Sequence, residues 1–146
     1  MTYSVVIPSL PSRAAEAFPF DMNSSGQIAG VYYYGSALNS GAAIWSPDGS
    51  LTEPVGGGNG GVAEDINASG QAVGWGLSGS VRTAYLWSSS GAAMALNDAG
   101  GLGDSEAWGV NEYGDSAGRS ETAHGQRAVY WDSAGHSTLL NSNQRF

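Results

Sequence analysis

The chain of 146 residues contains no cysteine and no lysine. Without cysteine, neither disulfides nor thiol chemistry can contribute, and the redox compartment stays open. Only five arginines stand against thirteen acidic residues, giving a net charge of −8 with no basic patch. Nucleic acids and anionic lipid surfaces are bound by displacing counterions with such a patch, so neither is expected as a partner. The acidity serves solubility instead. Long apolar runs are missing too, and none approaches the ~20 residues of a membrane helix. The start, Met1 to Pro8, lacks the basic and apolar regions of a signal peptide, and none is expected in this chain.

Glycine is what the chain has in excess, at 23 positions, roughly twice its usual ~7% share. A glycine-rich linker or disordered segment would spread its glycines and lack aromatics, whereas five Trp, seven Tyr and three Phe supply material for a core. The glycines also recur at fixed places. Asn23, Asn67 and Asn111 lie 44 residues apart, and each is followed three residues on by Gly26, Gly70 or Gly114. Four further on come Gly30, Gly74 and Gly118. Each unit then reaches a tryptophan (Trp45, Trp87, Trp131) with a glycine four residues beyond it (Gly49, Gly91, Gly135). One supersecondary unit is written three times.

The second unit reads most plainly. Ala63 to Ile66 is a short strand and Asn67 to Gly70 a turn, because asparagine hydrogen-bonds the backbone two residues on and glycine accepts positive φ. Gln71 to Trp75 returns as a second strand. A loop over 76–82 leads to a third strand ending at Trp87, and Ser88 to Gly91 turns into a fourth, Ala92 to Leu96. The reading is all-β: a single repeat domain over 1–146, with a leading strand at 1–10 and units at 17–55, 62–97 and 106–142. Pro11 to Ala17 has room for one helical turn, and the run Gly56 to Gly61 reads as a flexible loop between units. The strand before each tryptophan (Ala42 to Trp45, Ala84 to Trp87, Ala128 to Trp131) is apolar on both faces, as a strand sandwiched between layers would be.

Three four-stranded antiparallel units suit propeller-type blades completed to a closed ring by homo-oligomerisation, or a β-trefoil or β-prism monomer closed within one chain. The spaced residues resemble the HAF-repeat family of extracellular, propeller-like repeats. The match runs through Ile66-Asn67, Gly70, Val73-Gly74, Ala84 to Trp87 and Gly91, and through Val110-Asn111, Gly114, Gly118, Ala128, Trp131 and Gly135. The first unit departs from it with Met22 before Asn23 and Ala29 before Gly30. The resemblance implies blades and an extracellular location, and no activity. Val5 to Ile7 and Ser137 to Leu140 are both fourth-strand equivalents, so one terminal strand is surplus. It is expected to pair across a subunit boundary, in a homodimer with six blades.

Residues shared by all units serve the fold, and residues peculiar to one unit are free for function. On that filter the three tryptophans are core anchors and the three asparagines turn residues, the latter also offering a set of equivalent sugar sites. Trp75 stands where the other units have Val31 and Arg119, and Trp108 where they have Phe20 and Glu64. With Tyr32, Tyr33 and Tyr34 they form the candidate ligand set, since aromatic faces beside Asn, Asp or Glu suit the C–H planes and hydroxyls of a glycan. No catalytic residues, cofactor or metal site is expected. His124 and His136 lack metal-ligand spacing, Gly-x-Ser-x-Gly is absent, and Glu64 and Asp65 are adjacent and so point to opposite faces. The expected function is non-enzymatic binding, lectin-like, with a self-assembling protein-interaction module as the alternative.

Overall fold

The computed structural model describes residues 6–57 and 60–140, with the backbone alone for residues 36–38. Within them the chain forms three four-stranded antiparallel sheets and no helix. The first holds β1 (Glu16–Met22), β2 (Ile28–Tyr34), β3 (Ser36–Trp45) and β4 (Leu51–Thr52). The second holds β5 (Val62–Ile66), β6 (Ala72–Ser78), β7 (Val81–Trp87) and β8 (Ala93–Ala95). The third holds β9 (Ser105–Val110), β10 (Ser116–Thr122), β11 (Gly125–Trp131) and β12 (Ser137–Leu139). Within each sheet every strand pairs with the next in the chain, so each repeat is a meander and the all-β reading holds. Pro11 to Ala17 makes no helical turn. Ala14 N–H closes a single turn on Pro11 O at 2.8 Å, and Ala15 N–H is then captured by Tyr33 O at 2.8 Å as β1 begins.

The invariant asparagine builds the turn between the first two strands of each unit. Asn67 Oδ1 accepts the N–H of Ser69 at 3.1 Å and of Gln71 at 2.9 Å, while Gly70 closes the turn with φ near +78°. Asn23 and Asn111 repeat the same bonds. The second glycine answers a different need. Each first strand carries a β-bulge, between Pro19 and Asp21, Ala63 and Asp65, and Ala107 and Gly109. Gly74 lies opposite the bulge, and a Cβ there would stand 1.9 Å from Val62 O and 3.0 Å from the Trp87 ring. Only glycine lets the strands and the indole close up.

The three repeat tryptophans are buried, and each of their indole N–H groups reaches the chain that leads into its own unit. Trp45, Trp87 and Trp131 donate to the carbonyls of Ser9, Val55 and Asn97 at 2.9, 2.9 and 2.8 Å. A buried indole needs that partner. The Gly56 to Gly61 run is not the free loop expected. Ala42 N–H donates to Gly57 O, and Gly60 N–H to Ser40 O, which ties the described flanks of the run into the first sheet.

The sheets stack in series, first on second and second on third. β5 adjoins both β1 and β9, whereas β4, β8 and β12 make their substantial contacts only within their own sheets. The first strands are therefore innermost. A threefold closure of the trefoil or prism kind would bring the first and third sheets together, and they make no substantial contact. One apolar core fills each seam, Ile44 and Ala42 against Ile66 and Trp87 in the first, Leu86 and Val73 against Ala107 and Trp131 in the second. Sandwiched strands are buried on both faces over Ala42 to Trp45, but β11 alternates, with Ala128 and Tyr130 exposed. Residues 1–5, on which much of the strand-exchange expectation rests, lie outside the described residues. β12 pairs within its own sheet, and Ser9 N–H bonds Gly49 O at 2.7 Å at the outer turn of the first sheet.

The bulge makes a prediction. Gly74→Ala drives a Cβ into backbone that cannot move aside, and should cost about 3 kcal/mol. In a chain of this size that lowers Tm by roughly 6–12 °C. A variant melting within a degree of the parent would show that the close approach is not required.

Candidate functional site

The three bulges fall at one repeat position, on the innermost strands, and the bulged residues are Phe20, Glu64 and Trp108. A bulge leaves one residue outside the ladder and re-aims its side chain. The identities differ here while the flanking turns and glycines are constant, which marks the position as the chemically variable one. Trp108 is 51% exposed, and its indole N–H donates to Glu106 Oε2 at 3.2 Å, so the ring is anchored by its edge and open on its face.

Glu106 anchors more than this indole. Arg119 grips it in a bidentate pair, Nη2 to Oε1 at 2.8 Å and Nε to Oε2 at 3.1 Å, and Arg82 reaches across from the second sheet to Oε1. Asp104 lies 3.5 Å from Arg119. Burial works to raise the Glu106 carboxyl, but the hydrogen bonds from Arg119 and Arg82 outweigh it and hold it below the usual carboxylate range. Glu64 goes the other way. Burial raises it, the Trp75 indole partly offsets this, and the charge of Glu106 adds to the rise. Arg119 Nη1 is buried without a hydrogen-bond partner. A buried guanidinium N–H normally has one, so among the described residues this atom is an uncompensated donor inside the cluster.

Of the residues expected to bind ligand, Trp75 and Trp108 do meet at this cluster. The Arg82 guanidinium lies 4.8 Å from the Trp75 ring centroid, which covers one face of that ring, so Trp75 braces the site while Trp108 presents a surface. The three tyrosines sit elsewhere. Tyr32 is fully buried, its hydroxyl bonded to Glu53 and approached by Arg13, and has no face for a ligand. Tyr33 meets Phe18 edge-on with centroids 5.8 Å apart, and Arg13 lies 4.8 Å over the Tyr34 ring. The three tyrosines are consecutive, but strand alternation sends Tyr32 into the core. Asn23 and Asn67 are buried with both side-chain groups committed, so they do not form sugar sites.

Sequence reasoning missed Glu106, Arg82 and Asp21. Its own filter reaches the first, since Glu106 stands where the other units have Phe18 and Val62. Asp21 and Asp65 are repeat equivalents that the fold brings together at the first seam, where both carboxylates approach Ile66 N–H. Burial raises Asp65, opposed by the Val110 N–H and reinforced by Asp21, while Asp21 is held low because hydrogen bonds from Asp65 and two backbone N–H groups outweigh its burial. Of the two, Asp65 is the weaker acid and Asp21 the stronger. Such a split suits acid–base chemistry, yet each carboxylate is already occupied by main chain of the next sheet, Asp21 by Ile66 and Asp65 by Val110 at 2.7 Å. His136 and Asp132, 3.0 Å apart, belong to the exposed turn before β12. Among the described residues no three His, Asp or Glu side chains cluster to hold a metal.

No protein-family model matches the chain, and comparison with curated proteins and with solved structures finds no similar one.

The carboxylate pair carries a test of sign. Asp65, raised in the folded state, contributes stability that is present at low pH and lost as pH rises through its folded pKa. Asp65→Asn keeps an acceptor for Val110 N–H and mimics the protonated acid. It should therefore melt above the parent at pH 7, with the gap closing as pH falls into the ordinary carboxylate range. A variant less stable than the parent at pH 7 would show that the charge of Asp65 is needed.

Proposed function

We propose that the three sheets are propeller-type blades and that the chain is a non-catalytic binding module for carbohydrate, with Trp108 as the stacking surface. The observation that carries this is the half-open Trp108 ring, displayed on a bulge and fixed by its N–H to Glu106. A pyranose has one apolar C–H plane and a rim of hydroxyls, and such a ring beside fixed polar groups complements both. Glu64, which lies beside the Trp75 indole and feels the charge of Glu106, supplies an acceptor. Glu106 acts as a brace, since its oxygens already accept from Trp108, Arg119 and Arg82.

A second reading, a protein-interaction module with no small ligand, is favoured by a different observation: residues equivalent by repeat are buried in two sheets and exposed in the remaining one. A glycan array with the parent and Trp108→Ala separates the two. Under the carbohydrate reading the parent binds at least one glycan class, and truncating the central aromatic costs about 2 kcal/mol, roughly thirtyfold in Kd. Tyr33→Ala, away from the cluster, should leave that affinity unchanged. A blank array with a folded parent supports the interaction module instead.

A further inference from the structure

The series of sheets ends in two faces that lack the neighbour their counterparts have. Ile44 and Leu86, on the faces turned to the next sheet, are 2% and 5% exposed, and their counterpart Tyr130 is 38% exposed. Ala42 and Ala84 are buried beside them, whereas Ala128 is exposed. At the other end, Ile66 is 4% exposed against the preceding sheet, and its counterpart Met22 is 64% exposed. Ala63 and Ala107 are fully buried, while Pro19 at the same position is exposed. The chain thus carries one outgoing face of the kind that fits an incoming face, and one incoming face of the matching kind.

A hydrogen bond crosses each seam in the same way. Asn23 Nδ2 donates to Asn67 O at 2.9 Å, and Asn67 Nδ2 donates to Asn111 O at 2.9 Å. Asn111 is oriented as the other two are, with its Nδ2 on Asp115 Oδ2 at 3.1 Å and its Oδ1 on the turn, but the described residues hold no fourth unit whose asparagine carbonyl could receive it. At the far end Asn23 O accepts Gly26 N–H, just as Asn67 O accepts Gly70 N–H while also taking the bond from Asn23. One donor and one acceptor of the series are left over, at opposite ends.

We propose that a second copy of this chain docks head to tail on these faces, Tyr130 and Ala128 of each copy against Met22 and Pro19 of the other, with Asn111 Nδ2 on the other copy's Asn23 O. The occupant follows from the repeat, since the surface that fits an outgoing face is already present on the same chain. Head-to-tail contacts close only if the rotation completes a ring. Propellers close with about four to eight blades, and the one multiple of three in that range is six, so two copies suffice. The closing seam lacks one bond that the others have, because Gly109 stands where Asp21 and Asp65 supply a carboxylate to the next sheet's N–H. Residues 6–9 occupy the station that residues 52–55 and 94–97 occupy in the other units, as the bonds of Ser9, Val55 and Asn97 N–H to Gly49, Gly91 and Gly135 O record. Closure therefore brings this leader to β12 of the second copy, beside it or in its place. The docking is independent of any sugar at Trp108, because Phe20, the counterpart of Trp108, stays 52% exposed with the next sheet packed beside it.

The test is the native mass of the whole chain by light scattering on a sizing column, for the parent, Ala128→Arg and Met22→Arg. The expected result is twice the 14.9 kDa chain mass for the parent, and the single-chain mass for both variants with unchanged β circular dichroism. Head-to-tail docking requires both variants to dissociate, because each spoils one half of the same seam. A face-to-face dimer would survive one of them, and that result overturns the proposal. So does a monomeric parent, or a parent that forms trimers or open filaments. If an arginine variant fails to fold, Tyr130→Glu stands in for Ala128→Arg and Met22→Glu for Met22→Arg, both at exposed side chains and with the same two outcomes.

Discussion

One side chain, the asparagine after each first strand, does two things at once, and the fold depends on both. Its Oδ1 holds the turn by accepting two backbone N–H groups, which fixes the orientation of its Nδ2. That Nδ2 then donates to the carbonyl of the next asparagine, 44 residues along. Local turn geometry and the stacking of one sheet on the next are therefore set by the same amide. Buried amide groups are costly unless every donor and acceptor is used, and in Asn23 and Asn67 they are. A substitution there would lose the turn and the alignment of neighbouring sheets together.

The rest of the repeat serves that alignment. The bulge lets the innermost strand bend, the opposing glycine clears room for it, and the tryptophan lies over the glycine while its N–H secures the incoming chain. These residues are linked by contact, which is why they recur as a set. The seams themselves differ in chemistry. The first is apolar where Val62 and Val31 are buried, and the second carries Arg82, Glu106 and Arg119 at comparable positions. The scaffold tolerates either, because its alignment is fixed at the asparagine end.

The three-sheet architecture was legible in the sequence because turn residues and tryptophans leave a periodic signature. Asn67, Gly70, Trp87 and Gly91 each do locally what their residue type favours. The bulges were not legible, since an extra residue in a strand leaves no mark beyond the glycine opposite it, and Gly74 was read only as part of a motif. The candidate site was half legible. Trp75 and Trp108 stood out as departures from the repeat, but Tyr32 was misplaced because a consecutive run conceals which ring turns inward. The pairing of Asp21 with Asp65 depends on how sheets stack, and no spacing within one unit reveals it.

The bulge has a consequence for how such a chain can change over time. The residue it ejects takes no place in the ladder or the turn, so its identity is only loosely tied to folding. Phe20, Glu64 and Trp108 already sample an aromatic hydrocarbon, an acid and an indole at that one station. The repeat thus holds a row of positions where recognition can drift freely while the surrounding scaffold stays under constraint, and gene duplication of the unit would copy the vacancy for novelty along with the frame.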